Sequence, residues 1–121
     1  MIESKSQVLE AKIKKLNIKG YRKHILFCGG PKCCDEGEGK LVWEKLKTRL
    51  ASEDPEGTIF RTKVKCLRVC QAGPIAVVNP RGTWYGWVNE QHLDKIINND
   101  LFGDEVVDEL RIAENEHCKN D

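Results

Sequence analysis

The chain has 121 residues, the size of one ordinary domain with a modest hydrophobic core. Its 20 Lys and Arg residues against 19 Asp and Glu give a formal net charge of +1, so the composition favours neither a nucleic-acid partner nor a membrane partner. The first twenty residues are charged throughout, and no apolar run has the length of a signal peptide or a membrane span, which predicts a cytoplasmic protein.

The chain begins with a predicted helix and a predicted strand. Over residues 4–18, Leu9, Ile13 and Leu16 recur at helical spacing between Lys and Glu residues, so we expect a surface helix packed on the domain. Residues 21–27 end in the apolar run Ile-Leu-Phe, which predicts a central strand.

This strand leads directly into a loop with the sequence Cys28-Gly-Gly-Pro-Lys-Cys33-Cys34. Gly and Pro are the residues of sharp turns, so the loop is expected to bend tightly. A helix follows that ends near residue 51, before the turn at residues 52–57. Its predicted buried face carries Leu41, Val42, Leu46 and Leu50, with Trp43 beside it.

A second cysteine loop follows a second predicted strand. Residues 58–65 alternate between Phe, Thr or Val and basic residues, the pattern of a half-buried strand. This strand leads into Cys66-Leu-Arg-Val-Cys70-Gln-Ala-Gly-Pro74, another loop with Gly and Pro. Five of the six cysteines lie in these two loops.

The rest of the chain predicts a hairpin and a helix. Residues 75–78 and 83–88 form the hairpin strands, and the Pro and Gly positions in Asn79-Pro80-Arg81-Gly82 favour a type I turn between them. Asn89 is placed to cap a helix whose apolar face carries Leu93, Ile96 and Ile97. The residues after the helix fit a strand or a helix equally, and the last few are expected to fray.

This order of elements predicts an α/β fold of thioredoxin-like type, with a mixed four-stranded sheet and flanking helices. A strand, a crossover helix and a second strand should be parallel, and the hairpin and last helix complete the sandwich. Because parallel neighbours finish at the same end of a sheet, Cys28 and Cys66 should lie close together.

Four cysteine thiolates that lie close together are compatible with three kinds of site: a zinc site, a 2Fe-2S cluster, or cysteines that bind no metal. Structural zinc sites most often use cysteine pairs separated by two residues, whereas four and three residues separate the pairs here. In a 2Fe-2S cluster two irons each take two thiolates, which suits wider pairs from opposite loops. Cysteines that bind no metal would be structural or would take part in thiol–disulfide exchange. Cys33 and Cys34 are adjacent, however, and lack the Cys-x-x-Cys spacing of thioredoxin.

A 2Fe-2S site would need positive charge around it. Two ferric ions, two sulfides and four thiolates sum to about −2, and reduction makes this about −3. Gly29 and Gly30 can bring backbone N–H groups close to sulfur, and Lys32, Lys65 and Arg68 add positive charge nearby.

Residues 22–103 resemble the thioredoxin-like 2Fe-2S ferredoxins, the family of stand-alone ferredoxins and the small 2Fe-2S subunit of NADH dehydrogenase. The most specific part is Cys66-x-x-x-Cys70 with Gly73-Pro74, an apolar strand, and Asn79-Pro80-x-Gly82-x-Trp84-Tyr85-Gly86. The first pair is separated by four residues, as in the NADH dehydrogenase subunit, rather than by the longer loop of many stand-alone ferredoxins. The helix over residues 4–18 has no clear counterpart in the family core.

The resemblance implies that Cys28, Cys33, Cys66 and Cys70 bind the cluster. Cys33 is favoured as the second ligand because three residues separate it from Gly37, as in the family, and Cys34 stays the alternative. The resulting division is an N-terminal helical extension (1–20), a thioredoxin-like ferredoxin domain (21–103) and a C-terminal tail (104–121).

The predicted function is that of a one-electron carrier rather than an enzyme, because no paired catalytic acids, nucleophile motif or phosphate loop is found. Its expected partners are redox proteins that donate and accept electrons, and the resemblance is compatible with a homodimer. The alternatives are a zinc-stabilised interaction module and a thiol-redox protein of the same fold. The aromatic residues Trp84, Tyr85 and Trp87 are expected to pack in the hairpin, whereas exposure near the cluster would favour a docking surface.

Overall fold

The computed structural model describes residues 2–30 and 36–118, and its secondary structure follows the predicted order. The helices are α1 (Ile2–Lys15), α2 (Glu36–Glu53) and α3 (Glu90–Lys95), the last continued by a π-helical segment, Ile96–Leu101. The strands are β1 (Lys23–Cys28), β2 (Ile59–Lys63), β3 (Ile75–Asn79), β4 (Thr83–Tyr85) and β5 (Arg111–Glu114). Short 3₁₀ turns lie at Cys70–Ala72, Asp108–Leu110 and Glu116–Cys118.

The strands form one mixed sheet in the order β2-β1-β3-β4-β5. Strands β1 and β2 are parallel neighbours joined through α2, as predicted, and the remaining pairs are antiparallel. The sheet has five strands rather than the predicted four, because Arg111–Glu114 adds a strand to the outer side of β4. This strand lies beyond residue 103, and Val107 and Leu110 before it are buried.

The main hydrophobic core lies between one face of the sheet and the helices. It contains Ile25 and Phe27 of β1, apolar residues of α2 and α3, and buried residues of β2, β3 and β4. Because successive strand residues point to opposite faces, Leu26 faces a smaller cluster formed with Val77, Trp84 and Ile112. Side chains of the second cysteine loop pack on this smaller cluster.

Helix α2 buries a narrower face than the sequence predicts. Val42, Leu46 and Leu50 are buried, whereas Leu41 is 58% exposed. The difference follows from helix geometry, because residues four positions apart share a face and Leu41 lies one residue out of register with that row.

Helix α1 packs little on the domain, contrary to the prediction. Val8 and Leu9 are 69% and 59% exposed, and Ile13 is only half-buried. The segment after the helix is held by polar contacts, since the Asn17 side-chain amide donates to the carbonyl oxygen of Gly57 at 3.1 Å. The apolar stripe of α1 is narrow and interrupted by Lys and Glu, so it supplies little area for burial.

The hairpin is confirmed, but its turn differs from the predicted type I turn. Asn79 pairs with His24 of β1, whereas the last residue pair between β3 and β4 joins Val78 to Thr83. The turn is closed by a hydrogen bond from the Gly82 N–H to the Val78 carbonyl at 2.9 Å, and Gly82 has a φ of 72°. A type I turn over residues 79–82 would have used the Asn79 carbonyl instead.

Buried polar side chains lie at the end of the sheet where β1 begins. The Lys23 ammonium contacts the Asp100 carboxylate at 2.9 Å, and Asp100 also accepts a hydrogen bond from the Tyr85 hydroxyl at 2.5 Å. Arg81 and Asp104 complete the group. In the part of the chain that the structure describes, no helix is long and apolar enough to cross a membrane.

Candidate metal centre

The two cysteine loops leave the same end of the sheet. β1 and β2 are parallel, and Phe27 and Lys63 are their last paired residues. The next residue of β2's chain, Val64, donates its N–H to the Phe27 carbonyl oxygen at 2.9 Å. Beyond this pair, the Cys28 thiol donates to the carbonyl oxygen of Lys65, with Sγ 3.5 Å from the oxygen. Because Lys65 directly precedes Cys66, this contact brings the start of one loop against the start of the other. We call the end of the sheet where β1 and β2 finish the cysteine end.

The two first cysteines have different surroundings. Cys28 ends a central strand and is fully buried, whereas Cys66 lies in the loop and is exposed. The Arg68 N–H lies 3.2 Å from Cys66 Sγ and donates to it, with Arg68 in a left-handed conformation at φ 68°. A backbone N–H that points at sulfur offsets negative charge of the kind that a metal-bound cysteine sulfur carries.

The second loop is fixed to the rest of the sheet beyond Cys70. Cys70 begins a 3₁₀ turn that ends at Ala72, whose carbonyl accepts a hydrogen bond from the Trp87 N–H at 2.6 Å. The Val88 N–H donates to the Pro74 carbonyl at 3.0 Å. These bonds attach the loop to the segment that follows β4.

The first loop is fixed where it passes α2. A Cβ atom built on Gly39 would lie 1.8 Å from the carbonyl oxygen of Gly29, and a Cβ on Gly29 would lie 3.0 Å from the Gly39 Cα. Only glycine permits such a close approach of two backbones. The start of α2 therefore packs directly on the residue after Cys28.

The family model for thioredoxin-like [2Fe-2S] ferredoxins matches residues 13–100. The chain belongs to this family. A 2Fe-2S ferredoxin of Aquifex aeolicus is 33% identical over 104 residues, which cover 75% of this chain and 89% of that protein. A 2Fe-2S ferredoxin of Clostridium pasteurianum is 33% identical over 80 residues, which cover 66% of this chain and 78% of that protein.

Solved structures support the same assignment. The thioredoxin-like [2Fe-2S] ferredoxin of Aquifex aeolicus superimposes with a TM-score of 0.70 at 28% identity, and the match covers 79% of this chain and 94% of that one. The resemblance and the thioredoxin-like fold inferred from the sequence are therefore confirmed. The α1 helix lies mostly outside the matched family region, which begins at residue 13.

The described part of the site fits the family's cluster chemistry. Cys28 and Cys66 begin their loops at one end of the sheet, as a four-thiolate site supplied by two loops requires. Cys33 and Cys34 lie outside the described residues, so the preference for Cys33 stays a prediction. Within residues 2–30 and 36–118, no group of three or more His, Cys, Asp or Glu side chains is placed to hold a metal ion.

His24 is not positioned as a ligand. It lies four residues before Cys28 in β1, about 13 Å along the strand. One ring nitrogen, Nε2, is 2.7 Å from the Thr62 hydroxyl, and partial burial lowers the pKa of the imidazole. The contact ties β1 to β2 on the face away from the helices.

Sequence reasoning missed one feature of this end of the sheet. Trp87 was expected to pack in the hairpin, but β4 ends at Tyr85 and the Trp87 ring is 53% exposed. Its φ of 52° is unusual for a residue other than glycine. The preceding Gly86 was the available signal, because a strand that reaches a glycine often ends or bends there.

Proposed function

We propose that this chain carries single electrons on a 2Fe-2S cluster bound by Cys28, Cys33, Cys66 and Cys70. The observation that carries the proposal is the contact of Cys28 with Lys65 at the cysteine end, which joins the two loops of a chain in this family. A bound 2Fe-2S cluster supplies a centre that accepts and releases one electron without bond making.

The residues around the two loops support this role. The Arg68 N–H donates to Cys66 Sγ, and Lys65 and Arg68 carry positive charge beside the thiolates. Both contributions offset the negative charge that a reduced cluster would bring, and hydrogen bonds to sulfur favour the reduced state. The backbone contacts of Gly39 with Gly29 and of Trp87 with Ala72 fix the described part of each loop against the rest of the domain.

The proposal includes a non-enzymatic role, with electron donor and acceptor proteins as partners. It also includes a cytoplasmic location, where a reducing environment keeps thiolates available for iron. A homodimer and the division into an extension (1–20), a domain (21–103) and a tail (104–121) belong to the same proposal.

Single alanine substitutions at the six cysteines test the ligand set. Alanine is preferred because a serine oxygen can replace a thiolate as a ligand. We expect C28A, C33A, C66A and C70A each to lose most of the iron and acid-labile sulfide, because one of the two irons loses one of its two protein ligands. C34A and C118A are the matched controls and should keep the wild-type content and visible spectrum.

Two results would change the assignment. Loss of the cluster in C34A with retention in C33A would move the second ligand to Cys34. Zinc in place of iron in protein purified without oxygen would instead support the zinc-stabilised module, and a metal-free protein would support thiol redox chemistry.

A further inference from the structure

Positive charge is concentrated in one segment of this nearly neutral chain. The whole sequence has 20 basic and 19 acidic residues, yet residues 58–89 contain no Asp or Glu. The five basic residues of this segment are Arg61, Lys63, Lys65, Arg68 and Arg81. The segment includes β2, the second cysteine loop and the hairpin, so it forms much of the cysteine end.

Two of these five residues are engaged elsewhere. The Arg81 guanidinium lies 3.4 Å from Asp100 at the opposite end of the sheet, and the Arg61 guanidinium lies 5.8 Å from the Trp43 ring centroid. Lys63, Lys65 and Arg68 are exposed, and within the described residues no acidic side chain lies within ion-pair distance of them. Their charge is therefore directed to solvent.

Trp87 extends this basic surface with an exposed ring. Because β4 is antiparallel to β3, and β3 to β1, the residues after Tyr85 lie at the cysteine end, two strands from Cys28, or about 10 Å. The Trp87 N–H donates to Ala72, and its carbonyl lies 2.5 Å from Nδ1 of His92. The backbone is thus held on both sides while about half of the side chain faces solvent.

We propose that Lys63, Lys65, Arg68 and Trp87 form the docking surface for a redox partner protein whose own surface is acidic. The inference rests on the proposed function, since it places the partner beside the cysteine loops. Charge complementarity identifies the partner class, because three exposed cations without an ion-pair partner among the described residues attract an acidic surface and steer its approach. A fixed, exposed Trp fits a protein interface better than a small anion, since Trp and Arg supply much of the binding energy at such interfaces.

Binding to a bacterial flavodoxin, an acidic protein that carries one electron on its flavin, provides the test. Isothermal titration calorimetry at about 50 mM and about 500 mM NaCl should show affinity that falls at least about tenfold with salt. The double variant K65Q/R68Q should lose about tenfold in affinity at low salt. The matched control K12Q/K15Q removes two exposed lysines of α1, which joins the opposite end of the sheet, and should bind like wild type.

Fluorine NMR locates the contact. In protein labelled with 5-fluorotryptophan, the signal that disappears in W87F identifies Trp87, and Trp43 and Trp84 serve as internal references. We expect flavodoxin to shift or broaden the Trp87 signal more than the other two, because Trp43 and Trp84 are only partly exposed. W87A should weaken binding by about tenfold.

The outcomes separate this inference from the proposed function, because iron and visible absorption are measured on every sample. A wild-type protein that holds its cluster but fails to bind flavodoxin, binds it without salt dependence, or loses equal affinity in K12Q/K15Q overturns the docking surface alone. A wild-type protein without a cluster overturns the proposed function, whatever its affinity for flavodoxin.

Discussion

Tyr85 ends β4 at the cysteine end of the sheet, and its side chain reaches the buried polar group at the opposite end. Its hydroxyl donates to the Asp100 carboxylate and accepts a hydrogen bond from the Val107 N–H at 3.2 Å. Burial and the neighbouring Asp100 carboxylate raise the pKa of Tyr85 well above its usual value, so the hydroxyl stays protonated and can donate. The same residue joins β4 to the segment before β5.

Removing this hydroxyl should be costly. In Y85F, the Asp100 oxygen and the Val107 N–H both lose a partner in the interior, so we expect a loss of about 1–3 kcal/mol in the free energy of unfolding. Urea unfolding followed by tryptophan fluorescence measures it. Y21F changes an exposed tyrosine and should alter stability by less than about 0.5 kcal/mol. Equal stability of Y85F and wild type would show that the network does not stabilise the fold.

Individual residues also show which parts of the site could be predicted from the sequence. The spacing of the cysteines and the Gly and Pro around them predicted two loops, because turn residues act through local geometry. Trp87 could not be placed, because its exposure depends on a hydrogen bond to Ala72, fifteen positions earlier. Arg68 was predicted only as a nearby charge, whereas in the structure its backbone N–H also contacts sulfur.

At the scale of elements, the contact between α2 and the first cysteine loop matters most for the site. The helix approaches so closely that Gly39 and Gly29 meet through their backbones. The position of Gly29 in the first loop therefore depends on the position of the start of α2.

A methyl group at Gly39 should disturb this contact. G39A would place a Cβ atom on the Gly29 carbonyl, so α2 or the loop must shift, at a cost of about 1–3 kcal/mol. We expect lower iron and sulfide content together with a lower midpoint in urea. S52A, an exposed substitution near the other end of α2, should change neither quantity. Full cluster content and wild-type stability in G39A would contradict the close packing.

The order of elements was predictable, and the exceptions have physical causes. Hydrophobic periodicity and turn residues identified the helices and strands through β4, because these signals are local. The Asn89 side chain accepts a hydrogen bond from the His92 N–H at 2.8 Å, which confirms the predicted cap. The fifth strand was undecided, because Arg111–Glu114 has two charged residues in four and becomes a strand through pairing with β4.

At the scale of the whole molecule, the fold separates two groups of polar residues. The Lys23 and Asp100 ion pair lies at one end of the sheet, and the cysteine loops with their basic residues lie at the other. The near-zero net charge conceals this arrangement, because acidic residues lie outside residues 58–89. A charge count by segment would have indicated the basic surface from sequence alone.

The central claim is that the two loops at the cysteine end bind one 2Fe-2S cluster per chain. The most direct measurement is the iron and acid-labile sulfide content of protein purified without oxygen, together with electron paramagnetic resonance before and after reduction. We expect about two irons and two sulfides per chain, no signal when oxidised, and a one-electron signal of spin one-half after reduction. A colourless protein with no sulfide, or one that holds only zinc, would contradict the claim.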